Sequence, residues 1–118
     1  MIEDWNDPEF CLLKVRENPL NLEFVINQTH EICLQAVKQF GLVLEFVKEQ
    51  THEICLEAVK EDGLALKYVI NQTPLIIHYL KKYHISIYES FKKVNRITIS
   101  DNEMKKFYNE NPHLLLTL

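Results

Sequence analysis

The sequence predicts an all-α protein: short helical hairpins stacked as a small solenoid and closed by a helical C-terminal cap. Three observations carry this expectation. A unit of ~22 residues recurs, and residues 28–49 (QTHEICLQAVKQFGLVLEFVKE) and 50–71 (QTHEICLEAVKEDGLALKYVIN) are identical at 14 of 22 positions. Self-similarity at such a period is the mark of a repeat architecture. Within each unit the apolar residues fall at helical spacing. The 118 residues include only two glycines and four prolines, too few turn formers for a strand-rich fold.

The first unit, residues 6–27, matches the second at Glu9, Cys11, Leu12, Val15, Leu20, Leu22, Glu23, Phe24 and Val25. A partial fourth unit restarts at Gln72 and fades after Lys82, which places the repeats in residues 1–83, with units near 6–27, 28–49, 50–71 and 72–83. Each unit reads as two short helices. Thr29, Thr51 and Thr73 stand where N-caps belong, and Asp7 fills that place in the first unit. Glu31 and Glu53 follow in the first turn, where the helix dipole favours an anion. Pro8 and Pro74 fall at the first helical position, which tolerates a missing N–H. Ile32, Cys33, Ala36, Val37 and Phe40 then form one apolar stripe.

Gly41 and Gly63 are expected to stop these helices as left-handed C-caps. The first unit has Asn18-Pro19 there, an Asn cap followed by a Pro that opens the second helix. Second helices are expected over residues 42–49 and 64–71, with Leu42, Leu44, Phe46, Val47 and Leu64, Leu66, Tyr68, Val69 as their apolar sets. Helices this short are marginal alone. Stacking must hold them, each repeat contacting mainly its neighbours around one continuous core. Cys11, Cys33, Cys55, Ile32, Ile54, Val37 and Val59 are the expected core residues.

Residues 84–118 leave the repeat pattern and are the candidate cap. A helix rich in large apolar residues is expected over residues 74–83 and another over 85–94. Ser100 with Glu103 forms a capping box that starts a helix near Asp101. The final Leu114, Leu115, Leu116, Thr117 and Leu118 are apolar for a chain end and are expected to dock on the core or on another subunit.

Hydrophobic residues make up 47% and charged residues 25%, a globular composition. Residues 1–7 hold no apolar run and no stretch is long enough to span a bilayer, so an intracellular protein without a membrane role is expected. Asn27-Gln28-Thr29 and Asn71-Gln72-Thr73 match a glycosylation pattern but read as connectors. The net charge of −4 is unevenly spread: residues 1–72 hold six basic and thirteen acidic side chains, a net of −7, and residues 73–118 hold seven and four, a net of +3.

The pattern carried by Asn18, Pro19, Leu20, Phe24, Val25, Gln28, Thr29, Glu31, Ile32, Cys33, Ala36, Val37 and Gly41, with counterparts 22 residues on, resembles a repeat family of unknown function. That family is common in giant viruses that infect amoebae and occurs in some bacteria. The resemblance covers roughly residues 6–80. It implies an origin and no catalytic residues.

The cysteines are the first candidates for chemistry. His30 and Cys33, and His52 and Cys55, form H-x-x-C pairs that invite a zinc or redox reading. Equivalent positions on stacked helices lie ~8–10 Å apart. Two thiolates on one zinc lie within ~4.6 Å, and a disulfide needs Cα atoms within ~7 Å. A buried cysteine behaving as a small hydrophobe is the preferred reading. His30 and His52 are replaced by Pro8 and Pro74 in other units, as fits cap positions that ask for no imidazole. No phosphate loop, nucleophile elbow, zincin motif or EF-hand loop is present. Lys81, Lys82, Lys92, Lys93, Arg96, Lys105 and Lys106 interleave with aromatics, which keeps a nucleic-acid role as an alternative.

The expected function is thus a non-enzymatic protein-interaction or small structural protein without cofactor or metal, possible self-association included. Its partner is a protein, either a second copy or a basic heterologous one, rather than a small molecule or nucleic acid. The expected interaction surface comprises Glu31, Glu45, Glu49, Glu53, Glu57 and Glu61, with Leu114, Leu115, Leu116 and Leu118 at the end.

Overall fold

The computed structural model describes residues 3–118, and every regular element among them is helical. Four ten-residue α-helices form one layer: α1 (Pro8–Glu17), α2 (His30–Gln39), α3 (His52–Glu61) and α4 (Pro74–Tyr83). Three six-residue 3-10 helices form the second layer: η1 (Pro19–Phe24), η2 (Gly41–Phe46) and η3 (Gly63–Tyr68). The chain closes with α5 (Ile85–Lys93), α6 (Asp101–Glu110) and the single turn α7 (Pro112–Leu115). Each long helix packs on the next in sequence; η1 and η2 lie against the long helices of their own and the following unit, and η3 lies against α3, η2 and α5. The radius of gyration is 16.0 Å, against about 13.5 Å for a compact domain of this length. The extents of 54 × 27 × 19 Å describe a rod, as expected of stacked repeats.

The caps form where the sequence places them. Thr29, Thr51 and Thr73 each accept the amide of the third residue on, at 3.2–3.3 Å. Asp7 accepts from Glu9, and Pro8 and Pro74 open α1 and α4. The Ser100–Glu103 capping box is complete. The core is the predicted stripe: Cys11, Ile32, Cys33, Val37, Ile54, Cys55 and Val59 are all buried, with Ala36 and Ala58 between them.

Two expectations are corrected. The second helices are shorter 3-10 turns rather than helices over 42–49 and 64–71. Gly41, Leu44 and Val47, and likewise Gly63, Leu66 and Val69, are buried at a spacing of three, which aligns side chains on one face of a 3-10 helix, and Val43 and Ala65 are buried beside them. Gly41 and Gly63 are also not left-handed caps. No described glycine has a positive φ, and the caps are Phe40 and Asp62 in extended conformation. The glycines instead begin η2 and η3, where the chain passes against a neighbouring unit. A Cβ on Gly41 would collide with the Ala58 carbonyl oxygen and the Glu61 carboxylate; one on Gly63 would sit 2.8 Å from His84 Cβ.

Gly41→Ala and Gly63→Ala should therefore each destabilise by about 1–3 kcal/mol, as overpacking does. Gly41 should cost more, because its obstacle is backbone. Urea unfolding of the two variants checks this; a neutral or stabilised Gly41→Ala would remove close approach as the reason for glycine.

Candidate functional site

The connectors between units carry the most regular polar structure in the molecule. Gln50 sits in the connector before α3. Its side-chain N–H donates to the Tyr68 carbonyl (2.7 Å), and its Oε1 accepts the Ile70 amide (3.0 Å) and the Cys55 thiol (3.3 Å). Gln28 repeats this 22 residues earlier, with Phe46 (2.7 Å), Lys48 (2.9 Å) and Cys33 (3.5 Å). Each glutamine therefore grips the backbone on both sides of the residue that ends the next 3-10 helix.

Both ends of the repeat array adapt the same clamp. In the first unit Asn6 is shorter, and the Trp5 carbonyl accepts from the Cys11 thiol (3.2 Å) and the Ile26 amide (3.2 Å) in its place. In the fourth unit Gln72 donates to the Arg96 carbonyl (2.8 Å) and accepts from Thr98 (2.8 Å). Helix α5 there takes the place of a 3-10 helix, so the interactions of the repeat run past residue 84 and reach Thr98.

Grooves follow these clamps. Ile26, Asn27, Gln28, Thr29, His30, Lys48 and Glu49 line one of about 340 Å³. Its counterpart of about 290 Å³, lined by Gln50, Thr51, His52, Ile70, Asn71 and Thr73, lies 22 residues on. A third, of about 270 Å³, holds Gln72, Phe91, Asn95, Arg96 and Thr98. His30 bridges the second and third units by donating to Glu53 (2.9 Å), and His52 pairs with the Thr73 hydroxyl (2.9 Å).

The expected acidic surface is divided. Glu31 and Glu53 are exposed in the first turns of α2 and α3, Glu53 paired with His30, and Glu49 lines the first groove. Glu45 is exposed on η2. Glu57 is half-buried and pairs with Lys60 at 3.5 Å. Glu61 lies at the far end of α3, its carboxylate accepting from the Gly41 amide. The basic tail is also partly engaged: Lys92 pairs with Asp101, and the ammoniums of Lys81 and Lys82 lie over Tyr88 and Tyr83 at 5.5 and 5.3 Å. At the C-terminus Leu114 is half-buried, while Leu115, Leu116 and Leu118 are exposed.

The thiols are free and buried. Burial pushes Cys33 and Cys55 up to about 11, the opposite of what a nucleophile or metal ligand needs. Among the described residues no group of three or more His, Cys, Asp or Glu side chains is placed to hold a metal. Labelling by iodoacetamide near neutral pH should be at least about a hundredfold slower at Cys33 and Cys55 than at a free thiol, by loss of thiolate alone. It should recover on unfolding; rapid labelling of the folded protein would contradict the burial.

One functional group gave no sequence signal. His78, on α4, is fully buried beneath the C-terminal helices. Its Nδ1 pairs with the Tyr108 hydroxyl of α6 at 2.9 Å, and Tyr79, Phe107 and the Thr117 hydroxyl surround it. Burial lowers its pKa below the ordinary 6.5, and the Lys82 and Lys81 ammoniums add to this. The unfolded chain therefore binds the proton more readily than the folded one. Stability is intact above about pH 6.5 and is lost as pH falls below it. Thermal melts at about pH 7.5 and about pH 5 should show this drop, and His78→Gln should flatten it.

Residues 29–72 match a family model described as Domain of unknown function (DUF4116). The matched span is the second and third repeats almost entirely. No curated protein and no solved structure matches the chain.

Proposed function

We propose that this protein is a non-catalytic repeat module that binds an extended, basic segment of a partner protein along the edge where the connectors meet the starts of α2, α3 and α4. The observation that carries this reading is the recurrence of equivalent grooves at Gln28 and Gln50, with Glu49 lining the first and the exposed Glu31 and Glu53 in the first turns of the helices that follow these connectors. Equivalent sites at a fixed repeat suit an extended chain, which presents its own groups at regular intervals, and concave repeat surfaces are commonly used so. The carboxylates supply steering and register to a lysine- or arginine-bearing segment. The raised thiol pKa values support binding over nucleophilic chemistry. The resemblance of the repeat to those of amoeba-infecting giant viruses supports a viral origin, with a partner inside the infected cell or the virion.

The test is fluorescence anisotropy with a labelled lysine-rich dodecapeptide at low and moderate salt. Binding should weaken with salt and fall at least tenfold in a Glu31→Lys, Glu53→Lys double variant, since each rim charge contributes on the order of 1 kcal/mol. Absence of binding at low salt, or binding indifferent to the charge reversals, would overturn the reading. Preferential binding of a single-stranded oligonucleotide, lost on changing Lys105 and Lys106 to Glu, would move the function to the basic tail.

A further inference from the structure

We propose that copies of this chain associate end to end, the open N-terminal face of the stack receiving the apolar C-terminal turn of a second copy. This goes beyond the groove reading and does not depend on it.

The side of each long helix that faces the preceding unit can be identified. On α2 the Gln39 side chain donates to the Val15 carbonyl of the first unit (3.4 Å), and on α3 Glu61 accepts from the Gly41 amide of the second. One turn earlier on that side stand Gln35 and Glu57, both half-buried. The first-unit counterpart is Leu13, and no described residue covers α1 there, so it is 51% exposed. Phe24 on η1 is likewise exposed, while its counterparts Phe46 and Tyr68 are half-buried. An apolar residue thus occupies a position that is polar in the next two units, at an end where no described residue packs on it.

The opposite end offers a complementary surface. α6 packs on α4 and α7 on α6, which places the C-terminal turn beyond the last repeat. Leu115, Leu116 and Leu118 are exposed there, Leu116 at 88%.

Charge selects the occupant and its orientation. Residues 1–27 carry two basic and six acidic side chains, a net of −4, against +3 for residues 73–118. Head-to-tail contact joins opposite charges, whereas two like ends repel. Such a contact is heterologous, so it propagates into open chains instead of closing at a dimer. The transverse extents of 27 × 19 Å give each end on the order of 500 Å², about 1,000 Å² in total, at the low end of specific interfaces. The association is therefore weak and visible only at high concentration.

Light scattering of the full chain from about 10 µM to about 1 mM tests this, in the concentration range such a small interface implies. Average mass should climb steadily above 14.0 kDa without a plateau, and less steeply at high salt. Leu13→Glu and Leu116→Glu should each weaken association at least tenfold. Glu stands at the equivalent position 57, and Leu116 is on the surface, so both variants should keep the parent circular dichroism. Leu13→Gln, the residue type at position 35, is a second variant for the same face. An equimolar mixture of Leu13→Glu and Leu116→Glu chains has one working junction and should stop at a dimer. A wild-type mass of 14.0 kDa throughout, a plateau at twice that mass, or growth unaffected by both variants would overturn the proposal. Peptide binding at the groove should be unchanged by these variants, which separates failure here from failure of the groove reading.

Discussion

The fold depends on one interaction that recurs from the second unit on: a connector glutamine that ties the start of its unit to the chain leaving that unit's 3-10 helix. The residues that follow each 3-10 helix lie outside any helix, so their amides and carbonyls have no ladder to join. Unpaired buried backbone groups cost on the order of 1–3 kcal/mol each. A primary carboxamide carries one donor group and one acceptor group on a short arm. Gln28 and Gln50 each use both, spanning 18 and 20 residues forward. This holds the two ends of each unit side by side, so that successive connectors lie along one edge, as hydrophobic stacking alone, which has no direction, does not. The cysteine five residues on donates its thiol to the same oxygen. Its repetition at 22-residue intervals thus follows from packing and a weak hydrogen bond.

Around that clamp the two layers come close through small residues. Ala36 and Ala58 are fully buried, and Gly41 passes against the Ala58 carbonyl. The array ends differently at its two sides. At the C-terminal side Gln72 makes the same bonds to Arg96 and Thr98, although α5 lengthens the intervening segment by six residues relative to Gln50. The last repeat is therefore satisfied by the chain's own continuation, and α6 then covers α4 through His78 and Tyr108. At the N-terminal side the Trp5 carbonyl serves as a partial substitute for the clamp, and Leu13 on α1 and Phe24 on η1 stay exposed.

Much of this was legible in the sequence because a repeat reports on itself. Caps at Thr29, Thr51 and Thr73, the stripe from Ile32 to Val37 and the capping box at Ser100 are local features, decided by neighbours within one turn. The 3-10 character of η1 to η3 was less legible, since Leu42 and Phe46 suggest an α-helical face and only the three-residue spacing of Gly41, Leu44 and Val47 distinguishes it. The role of Gly41 was misread for a related reason. Helix ends commonly take a left-handed glycine, and the obstacle that demands glycine here lies on another unit.

The sequence by itself determined the helical class, the period, the caps, the core stripe and the opposite charges of the two halves, because each is a property of residues close along the chain. Tertiary structure alone decided that Gln28, Gln50 and Gln72 are clamps, and that the Glu61 carboxylate accepts from the Gly41 amide of the preceding unit. It alone also decided that His78 is buried under the final helices. These depend on contacts between residues about 20 or more apart, where stacking geometry sets which side chains meet.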